Sequence, residues 1–216
     1  MSVLILELLM RVTQQVKLET RQTLLATAQG LFFSKGLDAV STREIASAAG
    51  VGIGTLFNYF PTKEALAWAI AAAAFDKGRM TARDRIEQDA ATQSSLSQDL
   101  FTLIACDIRA LESVRILVPG LLDAGLGAWG AAEGEPGSIR VQRLADADAL
   151  LVRHGHVEHS TPALLHLYWS LYLGVLAFWT KDTSPNQEDT WSLLDQGVRM
   201  FAGSIPSTVN AKERER

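Results

Sequence analysis

Three histidines and a carboxylate crowd into one run, Arg153-His154-Gly155-His156-Val157-Glu158-His159, and side chains of these types can ligate a divalent metal. Gly155 in the middle marks a turn, and no second ligand group stands elsewhere in the chain. A solvated loop between helices is therefore expected, and neither a metal nor another cofactor is assigned. The one cysteine, Cys106, sits in the apolar run L-F-T-L-I-A-C-D-I. It reads as a buried small hydrophobe, excludes an internal disulfide framework and fits a reducing compartment. Asp and Glu are scattered over solvent faces, so no nucleophile–base pair supports an all-α enzyme. A different chemistry is better supplied. Gly54, Thr55 and Asn58, with Tyr59 at the edge, make a small polar surface suited to base edges and phosphate oxygens.

Those four residues need a helix to present them. Ser41 and Glu44 have capping-box spacing for a short helix carrying Ile45, Ala46 and Ala49 on one face. Gly50 stands where a left-handed residue would end it. A second short helix runs from about Gly52 to Phe60, Pro61 stops it, and Thr62 caps a third. Ile53, Leu56, Phe57 and Phe60 recur at helical spacing as its expected core face. Two short helices joined by a glycine turn form a helix-turn-helix, whose second helix enters the major groove. A helical hairpin with a polar outer face is the plainer alternative.

The run T-x-x-E-I-A-x-x-A-G-V-x-x-G-T-L-F-x-Y-F-x-x-K-E-x-L, from Thr42 to Leu66, closely resembles the DNA-binding signature of TetR-type transcriptional regulators, and Ala28, Leu31, Phe32 and Gly36 fit the family's first helix. The resemblance covers roughly residues 20 to 66. It implies a three-helix DNA-binding head, an all-helical ligand and dimerisation body, and repression relieved by a small molecule. Thr42, Arg43, Gly54, Thr55, Asn58, Tyr59 and Lys63 match the family's DNA-contacting positions. The family usually carries Ser or a similar cap residue where this chain has Gly52, which still caps acceptably.

Residues 1–66 carry six Lys/Arg and five Asp/Glu, a balance of +1, while the remainder has fourteen and nineteen, a balance of −5. The acid lies in the body, and backbone amides must share the phosphate work with Arg43 and Lys63. We expect an N-terminal extension over 1–17, a head over 18–62, a body over 63–205 and a polar tail over 206–216. The opening M-S-V-L-I-L-E-L-L-M-R is too short to span a bilayer and lacks the basic flank of a signal peptide, and Met10 is an alternative start. A cytoplasmic protein is expected.

The remaining chain shows no strand pattern, so the expected fold is all-α. A helix from Thr62 to about Gly78, with Leu66, Ile70, Ala73 and Ala74 inward, precedes a charged, exposed Arg79–Glu87 stretch. Helices near Ser97–Leu111 and Val114–Asp123 follow, then a glycine-dense loop from Gly125 to Gly137 that lacks the ending of a phosphate cradle. Ser138 opens a helix to about His154 with Val141, Leu144 and Leu151 inward. Thr161-Pro162 starts another, to about Thr180, and Ser184-Pro185-Asn186-Gln187 caps a last one, to about Phe201. Both final helices are apolar on more than one side, which calls for a second copy of the chain. The expected dimer interface is Ser170, Gly174 and Ala177 with Trp191, Leu194, Val198 and Phe201. Trp68, Phe101, Trp129, Trp169, Tyr172 and Trp179 are the candidates for an apolar effector pocket. The expected function is a homodimeric repressor released from a near-palindromic double-stranded operator by an unknown small molecule. An effector-independent DNA-binding module is the alternative.

Overall fold

The structure, a computed structural model, describes residues 3–89, 94–123, 134–156 and 160–206. It is all-α: α1 (Val3–Lys35), α2 (Thr42–Ala48), α3 (Ile53–Tyr59), α4 (Lys63–Gln88), α5 (Leu96–Leu111), α6 (Val118–Leu121), α7 (Gly134–Arg153), α8 (Pro162–Lys181) and α9 (Glu188–Gly203), with 3₁₀ turns at Glu112–Leu117 and Pro185–Gln187. The chain divides into two compact units, Met1–Ile70 and Ala71–Arg216, and α4 belongs to both.

The helix starts follow the local chemistry. Thr62 Oγ1 accepts from the Ala65 amide at 3.0 Å, Ser95 and Gln98 cap α5 reciprocally, and Thr161 accepts from the Leu164 amide ahead of Pro162. In the second unit α9 lies along α5 and α8, and α8 lies against α7. The core there is Leu100, Leu103, Ile104 and Ile108 of α5, Tyr168, Trp169, Tyr172, Leu176 and Trp179 of α8, and Leu194, Val198 and Phe201 of α9. Cys106 is buried as expected, and burial pushes its thiol up. Among the described helices α8 alone has the length and apolar content for a bilayer crossing.

Several expectations fail, at Gly78 and Arg79 through contacts from distant sequence. Gly78 does not end α4. A Cβ there would lie 2.5 Å from Asp107 Oδ1 and 2.9 Å from Asp107 Cα, so the glycine lets α4 and α5 approach closely inside a continuous helix. The Arg79–Glu87 stretch is exposed at Arg83, Asp84, Arg85 and Glu87 as expected, but Ala82 and Ile86 are buried, and Arg79 makes a bidentate pair with Asp146 at 2.7 and 2.9 Å. Ala73 is exposed; Ala71, Phe75 and Ala82 take the inward positions. Helix α7 begins at Gly134, not Ser138, and its Val141 is 67% exposed while Arg143 is buried. The expected loop from Gly125 lies outside the described residues up to residue 133.

The last connection is also built differently. The Ser184–Gln187 capping box does not form; Asn186 and Gln187 take left-handed φ of 51° and 58°, and α9 starts at Glu188. The Asp182 carboxylate secures this corner instead, accepting from the Ser184 amide (2.8 Å), the Thr190 amide (3.0 Å) and Thr190 Oγ1 (2.5 Å). The Thr190 and Ser184 hydrogen bonds hold Asp182 well below the usual carboxylate range. A depressed folded-state pKa contributes stability above the unfolded value of about 3.9 that is lost as pH falls through the folded value. Asp182→Asn should therefore melt below wild type at pH 7, and the gap should begin to narrow only below about pH 4. Thermal unfolding across that range checks it.

Candidate nucleic-acid interface

Leu24, Ala28 and Phe32 of α1, Val40, Ile45 and Ala46, and Leu56 and Phe60 form the core of the first unit, all nearly fully buried. Ser41 Oγ accepts from the Glu44 amide at 3.1 Å, so the cap forms. The Glu44 carboxylate takes the Lys35 ammonium at 2.5 Å, which holds its pKa below the ordinary value. At the other end of α2 the Gly50 amide bonds to Ser47 O and the Val51 amide to Ala46 O, the paired bonds of a Schellman ending. Gly50 has φ +69°, which a side-chain-bearing residue adopts only with strain. That turn fixes where α3 starts. Arg21 lies over the Phe60 ring, 5.3 Å from its centroid, and ties α1 to the end of α3.

Gly54, Thr55 and Asn58 are exposed on α3, Tyr59 is half-buried, and Arg43 is exposed and Thr42 half-buried on α2. Gly52 caps α3 with backbone alone. Lys63 is half-buried, and its Nζ donates to Leu37 O at 2.7 Å and Asp38 O at 3.4 Å. Its ammonium thus holds the loop after α1, leaving one of three protons for another acceptor.

The expected core face of α3 needs correcting. Leu56 and Phe60 are buried, but Ile53 is 39% and Phe57 45% exposed. At about 100° per residue, Ile53, Phe57, Gly54, Asn58 and Thr55 fill one continuous exposed arc, with Gly54 at its middle. Apolar positions at i and i+4 read as core from spacing alone. The missing signal was arc width: a seven-residue helix in a three-helix corner covers only the Leu56–Phe60 side. The exposed arc offers an amide, a hydroxyl, two apolar groups and a bare backbone, the mixture that base edges and thymine methyls call for.

The aromatic candidates in the body do not line one cavity. Trp169 stacks on Tyr172 with centroids 5.1 Å apart, the Tyr172 hydroxyl donates to Asp107 at 2.8 Å, and Trp179 Nε1 donates to Gln187 at 3.0 Å; all three are core. Trp68 is buried in the first unit, and Trp129 lies outside the described residues. Phe101 borders a cavity of about 830 Å³ beside Gln98, Thr102 and Arg199.

Within the histidine run, His154 Nε2 meets Asp99 Oδ2 at 2.8 Å across α5 and α7, so it is anchored to the bundle and not a solvated loop residue. The backbone turns at Gly155 as expected. His159 and Glu158 lie outside the described residues, among which no group of three ligands gathers. On the dimer candidates, Leu194, Val198 and Phe201 are buried within the subunit and are not available as knobs for a partner. Trp191 is half-buried, and Ser170, Gly174 and Ala177 lie on the less covered side of α8.

The sequence model for bacterial regulatory proteins of the tetR family matches residues 24–70, and that for the tetracyclin repressor-like C-terminal domain matches residues 153–212. No curated protein gives a significant match. Among solved structures, a TetR transcriptional regulator from Rhodococcus sp. RHA1 superposes with TM-score 0.64 at 22% identity, covering 88% of this chain and 100% of that one. Thermus thermophilus FadR, a TetR family transcriptional repressor solved with lauroyl-CoA, gives 0.62 at 18% identity over 87% and 95%. A tetR-family regulator from Streptomyces coelicolor gives 0.59 at 21% over 91% and 87%. These structures share the fold. With both sequence matches placed on a helix-turn-helix head and a helical body, the chain belongs to the TetR family and is a DNA-binding transcriptional regulator.

Proposed function

We propose that the protein is a cytoplasmic homodimeric repressor that leaves a near-palindromic operator when a small molecule occupies its body. The observation carrying this is the exposed arc of α3, held by a turn that only Gly50 makes without strain. In this reading Ile53, Gly54, Thr55, Phe57 and Asn58 face base edges, while Thr42, Arg43, Tyr59 and the spare proton of Lys63 serve phosphates. The body binds the effector, as the lauroyl-CoA complex of the Thermus FadR illustrates for a protein of the same fold. Helix α8 is a core helix of a soluble bundle, its aromatic side packed with α7 and α9.

Operator titrations test the reading face. Asn58→Ala should weaken operator binding about tenfold or more, within the roughly 1–3 kcal/mol of a good base contact, and leave far-UV helicity unchanged. Arg43→Ala should weaken all DNA about equally and reduce the salt slope by about one. Unaltered operator affinity in both variants would sink this face. The genes beside this one supply the operator fragment to try first.

A further inference from the structure

Within the second unit, α4, α5 and α7 enclose a groove of about 370 Å³. Its floor is apolar, with the buried side chains of Ile86, Leu103 and Leu150 and the small, exposed Ala145 and Ala149. Its rim is cationic. Arg79, Arg83 and Arg153 line it with Glu87 and Asp146. Asp146 is already neutralised, by the bidentate pair with Arg79 and by Arg143 Nη1 at 3.5 Å. Arg153 gives one N–H to Ile86 O at 3.3 Å, and a guanidinium has five to give. Arg83 is exposed and engages no carboxylate among the described residues. Among the described residues, two guanidinium groups with donors to spare therefore face one carboxylate, Glu87, in a unit of net charge −5.

We propose that this groove binds a small amphiphilic carboxylate. The carboxylate sits on Arg83 and Arg153, whose planar forks match it in geometry. The hydrocarbon lies against Ile86, Leu103 and Leu150. Size follows from the volume: at about 30 Å³ per heavy atom, the share of one liquid water, the groove holds about a dozen. That admits an eight-carbon acid. The proposal rests on the reading of the body as effector-binding and names the effector's class.

Calorimetric titration with octanoate, octan-1-ol and acetate tests it on the full-length protein. Octanoate should bind at least tenfold tighter than either of the others, because only it uses both rim and floor. Arg83→Gln should weaken octanoate about tenfold and leave octanol unchanged, as loss of a charge-assisted hydrogen bond predicts. Ala149→Leu should fill the groove and abolish binding of both. Both side chains are exposed, so unliganded melting temperatures should stay at the wild-type value. No octanoate binding, or equal affinity in wild type and both variants, overturns the groove assignment. The two readings separate in an operator titration. Saturating octanoate that leaves operator affinity unchanged keeps the groove as a binding site and overturns its effector role. Release of the operator by a different compound, with octanoate unbound, overturns the groove and preserves the effector reading.

Discussion

Replacing Arg143 with methionine should destabilise the protein by about 3–5 kcal/mol, the cost of leaving half of a buried ion pair without its partner. The guanidinium is fully buried and donates to both Asp107 oxygens, at 2.6 and 3.0 Å, and to Phe75 O at 2.7 Å, while lying over the Phe75 ring at 5.6 Å. Only the Tyr172 hydroxyl, 2.8 Å from Asp107, would remain on the carboxylate, and Phe75 O would lose a donor. Burial pushes the Asp107 carboxyl up to about 6 even against the pull of Arg143 and Tyr172, and without Arg143 it must rise further. A raised carboxyl pKa adds stability that is present below the unfolded value, about 3.9, and is lost as pH rises through the folded value. The deficit of the variant should therefore be larger at pH 8 than at pH 5, where Asp107 folds in as the neutral acid. Converting Asp107 to leucine in the same chain should recover most of the loss, since the double variant buries no lone charge. Denaturant midpoints at both pH values and one protein concentration check this. A single variant within about 1 kcal/mol of wild type at both pH values, below any loss expected from a broken buried pair, would overturn it.

That ion pair also shows what the sequence could not express. Nothing in the sequence around Arg143 marks it as buried, because its partner Asp107 is 36 residues away. Gly78 reads as a helix end for the same reason. Its meaning comes from the Asp107 backbone on another helix, which no local pattern contains. By contrast the head was largely legible, because its signals act over four or five residues: the Ser41 cap, the Gly50 turn and the Thr62 cap each find their partners within one helical turn. The lapse there, Ile53 and Phe57 as core, again needed knowledge of how much surface α1 and α2 can cover. The proposed effector site was the least legible part. Trp169, Tyr172 and Trp179 carry large apolar surface, and the fold spends it on the core, while the groove between α4, α5 and α7 is lined by aliphatic and charged side chains.

Gly174→Leu should convert the protein to monomer and lower operator affinity by at least about a hundredfold, the lower range of what linking two binding modules contributes. The subunit itself gives no reason for such an effect. Gly174 is exposed, nothing lies within 4 Å of a Cβ built there, and leucine favours a helix interior over glycine. The far-UV spectrum should be unchanged and the isolated subunit no less stable. In the proposed homodimer, what leucine meets is the second copy. Leu167 is 53% and Phe178 43% exposed on the same helix, and Leu193 (38%) and Met200 (76%) are exposed on α9. These apolar groups, with the flat stretch of Ser170, Gly174 and Ala177, form the face we assign to the dimer in place of Leu194, Val198 and Phe201. In the face we propose, small residues would let two α8 helices come within backbone distance, and a leucine would hold them apart. In the proposed dimer, a near-palindromic operator requires the two reading helices about 34–36 Å apart, one turn of B-DNA, with one half-site for each subunit. A monomer has one α3 and one half-site's contacts. Sedimentation velocity beside a gel-shift titration decides it: a tight Gly174→Leu dimer with wild-type operator affinity would place the interface elsewhere.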